Sequence, residues 1–141
     1  MKKVVLLGGM FCISLCALCQ TKLQVTVTHI KGQKGDIIVG IFDSEKDFLK
    51  KPVDAKTTKV SGDSITVVFE NVKAGKYAVS VIHDLNRNND LDKNKLGIPK
   101  EGFGFSNDAM GAMGPPAFES AQFDLSPAQK DLDIDIKMKY M

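Results

Sequence analysis

The nine residues from 132 to 140 alternate without exception. Leu132, Ile134, Ile136, Met138 and Tyr140 share one parity, while Asp133, Asp135, Lys137 and Lys139 share the other. A period of two belongs to an extended strand, whose successive side chains leave opposite faces. It excludes a helix, whose apolar positions would recur every three to four residues. The run therefore predicts a strand with one solvated face and one face in a core, with Ile134 and Ile136 buried. Near the start, Leu23, Val25, Val27 and His29 alternate in the same way with Gln24, Thr26 and Thr28, placing His29 at the core or its rim.

Five further stretches have strand character: residues 36–42, 57–61, 64–69, 76–83 and 121–125. Gly32, Gly35, Gly62, Gly75 and Pro127 punctuate them, as turn residues do between strands. Only residues 44–50 suggest a helical turn, with Ser44 as its cap. Seven short strands without alternating helices predict an all-β, antiparallel β-sandwich. Phe69, Gly75 and Tyr77 predict a hairpin between two of them. That Phe…Gly-x-Tyr spacing resembles the hairpins of transthyretin-like sandwiches, an Ig-like architecture.

Residues 1–19 resemble a signal peptide. Lys2 and Lys3 precede an uncharged apolar run, and Ala17 and Cys19 are small enough to flank a cleavage point before Gln20. The run is short for a membrane span, so no transmembrane segment is expected after cleavage. A lipidated Cys19 is the rival, opposed by Leu18 where a small residue is expected. The expected product is one domain, residues 20–141, in the periplasm, secreted or at the cell surface. It would lack all three cysteines (Cys12, Cys16 and Cys19) and carry 17 Lys and Arg against 17 acids. Disulfides then cannot staple it, and a neutral chain gives no electrostatic reason to bind nucleic acid.

Chemistry concentrates in residues 83–94, HDLNRNNDLDKN. Asp84, Asn86, Asn88, Asp90 and Asp92 fall on the alternate positions from which a tight loop aims oxygens at Ca²⁺. Lys95 stands where a bidentate Glu would complete such a site, so Glu101 substitutes only if the chain folds back; His83 would brace the loop. The alternative is that these Asp and Asn side chains bond their own backbone in Asx-turns.

Residues 96–120 show no sustained period and predict one long Gly/Phe-rich loop. Phe103, Phe105, Met110, Met113 and Phe118 either fold onto the sandwich edge or form a partner surface. His83, Asp84 and Ser106 supply the residue types of a hydrolase triad. Adjacent strand residues point to opposite faces, however, which denies His83 and Asp84 their orienting bond. His29 with His83 is a further pair of metal-ligand candidates.

Gly75-Lys-Tyr77, the His83–Asp92 motif, Gly97-Ile98-Pro99-Lys-Glu101-Gly102-x-Gly104-x-Ser106-Asn107 and Pro115-Pro116-x-Phe118 together resemble a bacterial family of small exported proteins, the domain of unknown function 2141. Asn89 stands where that family often has Gly. The resemblance implies an exported sandwich without assigned catalytic residues. Combined with the residues themselves, it leads us to expect a non-enzymatic binding or structural module with a loop that Ca²⁺ can order. Its partner would be a protein or glycan of the cell envelope. A metal-free adhesion, carbohydrate- or protein-binding module is the first alternative, and a hydrolase the second.

Overall fold

A computed structural model describes residues 21–141; the expected signal peptide lies outside the described residues. Eight strands form: β1 (Thr21–Thr28), β2 (Asp36–Phe42), β3 (Asp54–Lys59), β4 (Ile65–Val72), β5 (Gly75–Asp84), β6 (Gly102–Phe105), β7 (Phe123–Leu125) and β8 (Asp131–Lys137). Among the described residues, one turn of α-helix, α1 (Phe118–Ala121), and a 3₁₀ turn at Ser106–Asp108 interrupt them. One sheet has the order β4-β1-β8 and the other β3-β2-β5-β6, with β7 on the first residues of β5. The fold is a β-sandwich.

The alternating runs give the core. Leu23, Val25 and Val27 of β1 meet Ile37, Val39 and Ile41 of β2 and Val79 and Val81 of β5, all fully or almost fully buried. Ser44 caps the turn at residues 45–50 as expected, its hydroxyl accepting the Asp47 N–H at 3.3 Å.

Four expectations need correction. First, β8 runs parallel to β1, so the sandwich is mostly rather than wholly antiparallel; alternation reports which way side chains face, not which way a strand runs. Second, β8 is an edge strand, so only Ile136 is fully buried, while Ile134 and Leu132 are half-covered. Third, β4 and β5 lie in different sheets, so the connection through Lys73 and Ala74 crosses the sandwich and is no hairpin. The Tyr77 hydroxyl donates to the Lys73 carbonyl at 2.8 Å, the tyrosine corner that pins such a crossing. Burial, and secondarily Asp43, raises the Tyr77 pKa above its ordinary value.

The fourth correction is to the long loop. It contains β6, which pairs with Ser80–His83 of β5 and through Phe103 with Lys139 (3.0 and 2.8 Å). The chain after β8 thus leaves one sheet and bonds to the other. The glycines of β6 fit this approach: a Cβ on Gly104 would lie 2.7 Å from Ile136, and one on Gly102 would collide with the edge of the Tyr140 ring. Phe103 and Phe105 point the other way, into a second buried cluster with Phe42, Phe48 and Phe118. Phe48 packs edge-on against Phe42 and Phe118, at 5.4 and 5.6 Å between centroids. These three loop phenylalanines are therefore core, not free surface.

Ile136→Ala is expected to cost about 2–5 kcal/mol, through lost burial and a residual cavity. Ile134→Ala should cost less, and Asp135→Ala, on the exposed face, should stay within about 0.5 kcal/mol. Denaturant melts that rank Asp135→Ala with Ile136→Ala would overturn the register.

Candidate functional site: a clipped loop and an apolar groove

β2 and β5 place Asp36 opposite Asp84, and the register of β6, with Gly102 on His83, brings Glu101 level with Asp84. Asp84 and Glu101 are 1 % and 4 % exposed. Such burial of carboxylates requires donors, and the loop supplies them from its own backbone. Asp84 accepts the N–H groups of Asn88 (3.2 Å) and Asn89 (2.8 Å). Glu101 accepts those of Leu85 (2.8 Å) and Asp92 (3.1 Å). The chain does fold back, and Glu101 clips together both ends of the loop. Asp36 holds Arg87 at 3.3 Å, though its buried Oδ1 has no hydrogen-bond partner.

At the tip, Asn86 and Asn88 turn their amides to the Asp92 carboxylate, donating at 2.5 and 2.9 Å. Asn88 and Asp90 also accept backbone N–H groups one or two residues ahead. Arg87 and Asn89 take left-handed φ near 61°, a conformation Asn tolerates well, so Asn89 preserves the turn. Of the five expected ligand residues, Asn86, Asn88 and Asp92 meet through their side chains, whereas Asp84 is spent on the Asn88 and Asn89 N–H groups and Asp90 on the Leu91 N–H. Among the described residues, however, no group of three His, Cys, Asp or Glu side chains could hold a metal ion, so a cation here would rely on the Asn oxygens.

His83 is fully buried rather than merely bracing the loop. Its Nε2 faces the Lys34 carbonyl at 2.7 Å and its Nδ1 the Tyr140 hydroxyl at 2.8 Å. A carbonyl only accepts, so Nε2 carries a proton, and in the neutral ring Nδ1 accepts from Tyr140. That hydroxyl in turn accepts the Lys31 N–H at 2.9 Å. Burial raises the Tyr140 pKa, and the Lys31 bond partly offsets the rise. His29 turns out to be exposed at a left-handed kink ending β1. No hydrogen bond joins His83, Asp84 and Ser106: Ser106 Oγ accepts the Val79 N–H (2.9 Å) and donates to the Ala121 carbonyl (2.5 Å). The polar atoms of all three are bonded to other partners, and the three form no triad.

Above the outer face of the β3-β2-β5-β6 sheet lies a groove of about 1060 Å³. Its floor follows the register: Ala55, Gly40 and Ser80 form a row of small side chains across three strands and end at Phe105, with Ile38, Ile82 and Phe103 beside them. The clipped loop forms one wall through Leu91, Leu96 and Ile98, and residues 110–115 add Met110 and Met113. Of the eight large apolar side chains exposed among the described residues, six line this groove, a clustering that scattered surface apolar residues do not show. Met110 and Met113 are thus exposed side chains at the margin of this groove. The floor residues were not singled out from the sequence, although β2 and β5 carry apolar or small residues on both parities, the signature of a strand buried on both faces.

The geometry defines a β-sandwich with an apolar groove beside a polar, self-bonded loop. The family model described as "Uncharacterized protein conserved in bacteria (DUF2141)" matches residues 25–133, and the chain belongs to that family. No curated protein and no solved structure matches it.

Glu101→Gln would replace one acceptor oxygen with an NH₂ facing a backbone N–H. It is expected to cost about 1–3 kcal/mol and to speed hydrogen exchange at the Leu85 and Asp92 amides. Unchanged exchange at both would remove Glu101 from the role of clip.

Proposed function

We propose that this chain is an exported, non-catalytic binding module and that the groove on the outer face of the five-stranded sheet is its binding surface. The observation carrying this reading is the concentration of exposed apolar side chains at one concave site. An apolar groove with a few polar groups at its margin is the usual form of a binding site. Methionine walls suit it further, because the flexible thioether adapts to the shape it meets. The clipped loop then serves as a positioned wall, its polar backbone satisfied internally. Export is supported by the Lys2-Lys3 start, the apolar run and the small residues before Gln20. The non-catalytic reading is supported by His83 and Ser106, the two side chains best suited to catalysis, which spend their polar atoms on partners within the fold.

Titration with 8-anilinonaphthalene-1-sulfonate, an amphiphilic probe of apolar surface, should shift the methyl resonances of Ile38, Ile82, Met110 and Met113 together. Shifts confined to residues outside the groove would overturn the assignment.

A second reading keeps Ca²⁺ at the loop, favoured by the meeting of Asn86, Asn88 and Asp92 side chains at one point. Asp84, Asn86, Asn88, Asp92 and the carbonyl of Asp90 would hold it, and water would complete the six or more oxygens that the ion takes. The two amides must rotate to present oxygen, which suits an affinity no tighter than about 10⁻⁴–10⁻³ M. At a hundredfold excess over Kd, bound ion adds about 2.7 kcal/mol. Thermal melts should show that gain with Ca²⁺ and lose it in Asp92→Ala. Asp84→Ala is the poorer test, because it frees two backbone N–H groups whether or not metal is present. Melts indifferent to Ca²⁺ at about 10⁻² M, roughly ten to a hundred times that Kd range, would leave the loop as a wall alone.

A further inference from the structure

Independently of the groove, we propose that a second cavity, at the end of the five-stranded sheet where β2 begins and β3 and β5 finish, binds the phosphate group of a phosphate monoester. The register builds it. Asp36 pairs with Lys59 on one side and with Asp84 on the other. Three chain segments therefore leave the sheet in one row: the β1–β2 turn, the end of β3 and the start of the Asp/Asn loop. They enclose about 490 Å³. Lys34, Lys59 and Arg87, one from each segment, line this cavity, and no carboxylate does. Residues 20–141 balance 17 Lys and Arg against 17 acids, so three cations converging without an acid are a local departure that favours an anion.

The backbone under these cations is fixed, while their charged ends are unspent. The Lys34 carbonyl accepts from His83 Nε2 at 2.7 Å, and the Gly35 carbonyl accepts the Val60 N–H at 3.2 Å. Gly35 has a φ of 84°, and a Cβ there would strike the Asp84 carbonyl, so only glycine lets the turn press so closely on β5. Arg87 holds its left-handed φ of 61°, and its Nε meets Asp36 Oδ2 at 3.3 Å. One guanidinium N–H is thereby spent, and the other four are left for a bidentate contact with an oxyanion. Among the described residues, no acid lies within ion-pair distance of Lys34 or Lys59. Asp36 offsets one charge of the three. The two that remain match a phosphate monoester, which carries about −1.5 to −2 at pH 7, better than a single carboxylate. The volume is that of a small-molecule site, and Val60 and Leu85 give it an apolar side for the group that the phosphate carries.

Titration with inorganic phosphate at constant ionic strength, followed by NMR, should move the Arg87 Nε–H and the Lys34 and Gly35 amides along one saturation curve, with a Kd of about 10⁻³ M. Chloride at the same ionic strength should not. Lys34→Gln with Lys59→Gln alters only exposed side chains. The double variant should keep its melting temperature and weaken phosphate binding about tenfold, as the loss of two exposed charge contacts of ordinary strength implies. Lys46→Gln with Lys130→Gln removes the same charge beyond the far end of β2 and before β8, and should leave binding unchanged. Glucose 6-phosphate binding more tightly than inorganic phosphate supports a soluble ester; tighter binding of vesicles containing phosphatidic acid supports a lipid headgroup. If neither ester binds better than inorganic phosphate, the proposal is overturned. Shifts that never saturate, that chloride reproduces, or that the Lys46 and Lys130 variant weakens equally overturn it as well.

Discussion

The β3-β2-β5-β6 sheet is apolar on both faces, and the rest of the structure answers that constraint. Ile37, Val39, Ile41, Val79 and Val81 face inward, while Ile38, Phe42, Ala78, Ile82, Phe103 and Phe105 face outward. The β4-β1-β8 sheet covers the first set, as in any sandwich. Covering the second takes the Phe48 turn, α1 and the chain from residue 85 to 118, and the cover is incomplete. Apolar area left in water forfeits about 25 cal/mol per Å², so the open trench is the part of this face where that stabilisation is not gained.

The loop on that face is held by an inversion of the usual order. Loops ordinarily cap their polar backbone with water or with exposed side chains. Here two buried carboxylates, Asp84 and Glu101, form the anchor, and four backbone N–H groups close around them. Bonds to charged acceptors contribute more than neutral ones, about 1.5–3 kcal/mol each, and removing a partner leaves a charge in a dry site. The segment is therefore a fixed part of the surface. Of its apolar residues, Leu91 packs against the second buried cluster, while Leu96 and Ile98 stay exposed at the groove.

Much of this was legible in the chain, for definite reasons. The strict alternation around Leu23 and Ile136 fixes facing at sight, and residues 36–42 gave β2 at its true limits. Less visible was β6: Gly-Phe-Gly-Phe suggests a loop until one knows that Ile136 and Tyr140 press on its inner side and leave no room for a Cβ. The fate of Phe103, Phe105 and Phe118 could not be read, because aromatic residues between glycines look alike whether they line a surface or fill a second core. The Asp/Asn loop was recognised as a unit, yet spacing alone could not tell an oxygen aimed at a cation from one already accepting an N–H. The unbroken apolar character of β2 and β5 was the one available sign that the sheet has two covered faces.

The parallel pairing of β1 with β8 also sets an order of events in folding. Lys22 is paired with Asp131 and Val27 with Ile136, so the first strand made waits for the last. A growing chain can form the β2-β3 and β2-β5 pairs early, but until its final residues appear, β1 has only one neighbour and a bare apolar edge. Loop-closure entropy across so long a separation must be overcome before these contacts repay it, which slows folding and prolongs exposure to aggregation. The late arrival of β8 also brings Tyr140 to His83 and Lys139 to Phe103, so one event completes the first sheet and ties it to the second. Without the segment from β8 to Tyr140, the fold would lose the second neighbour of β1 and both ties between the sheets together.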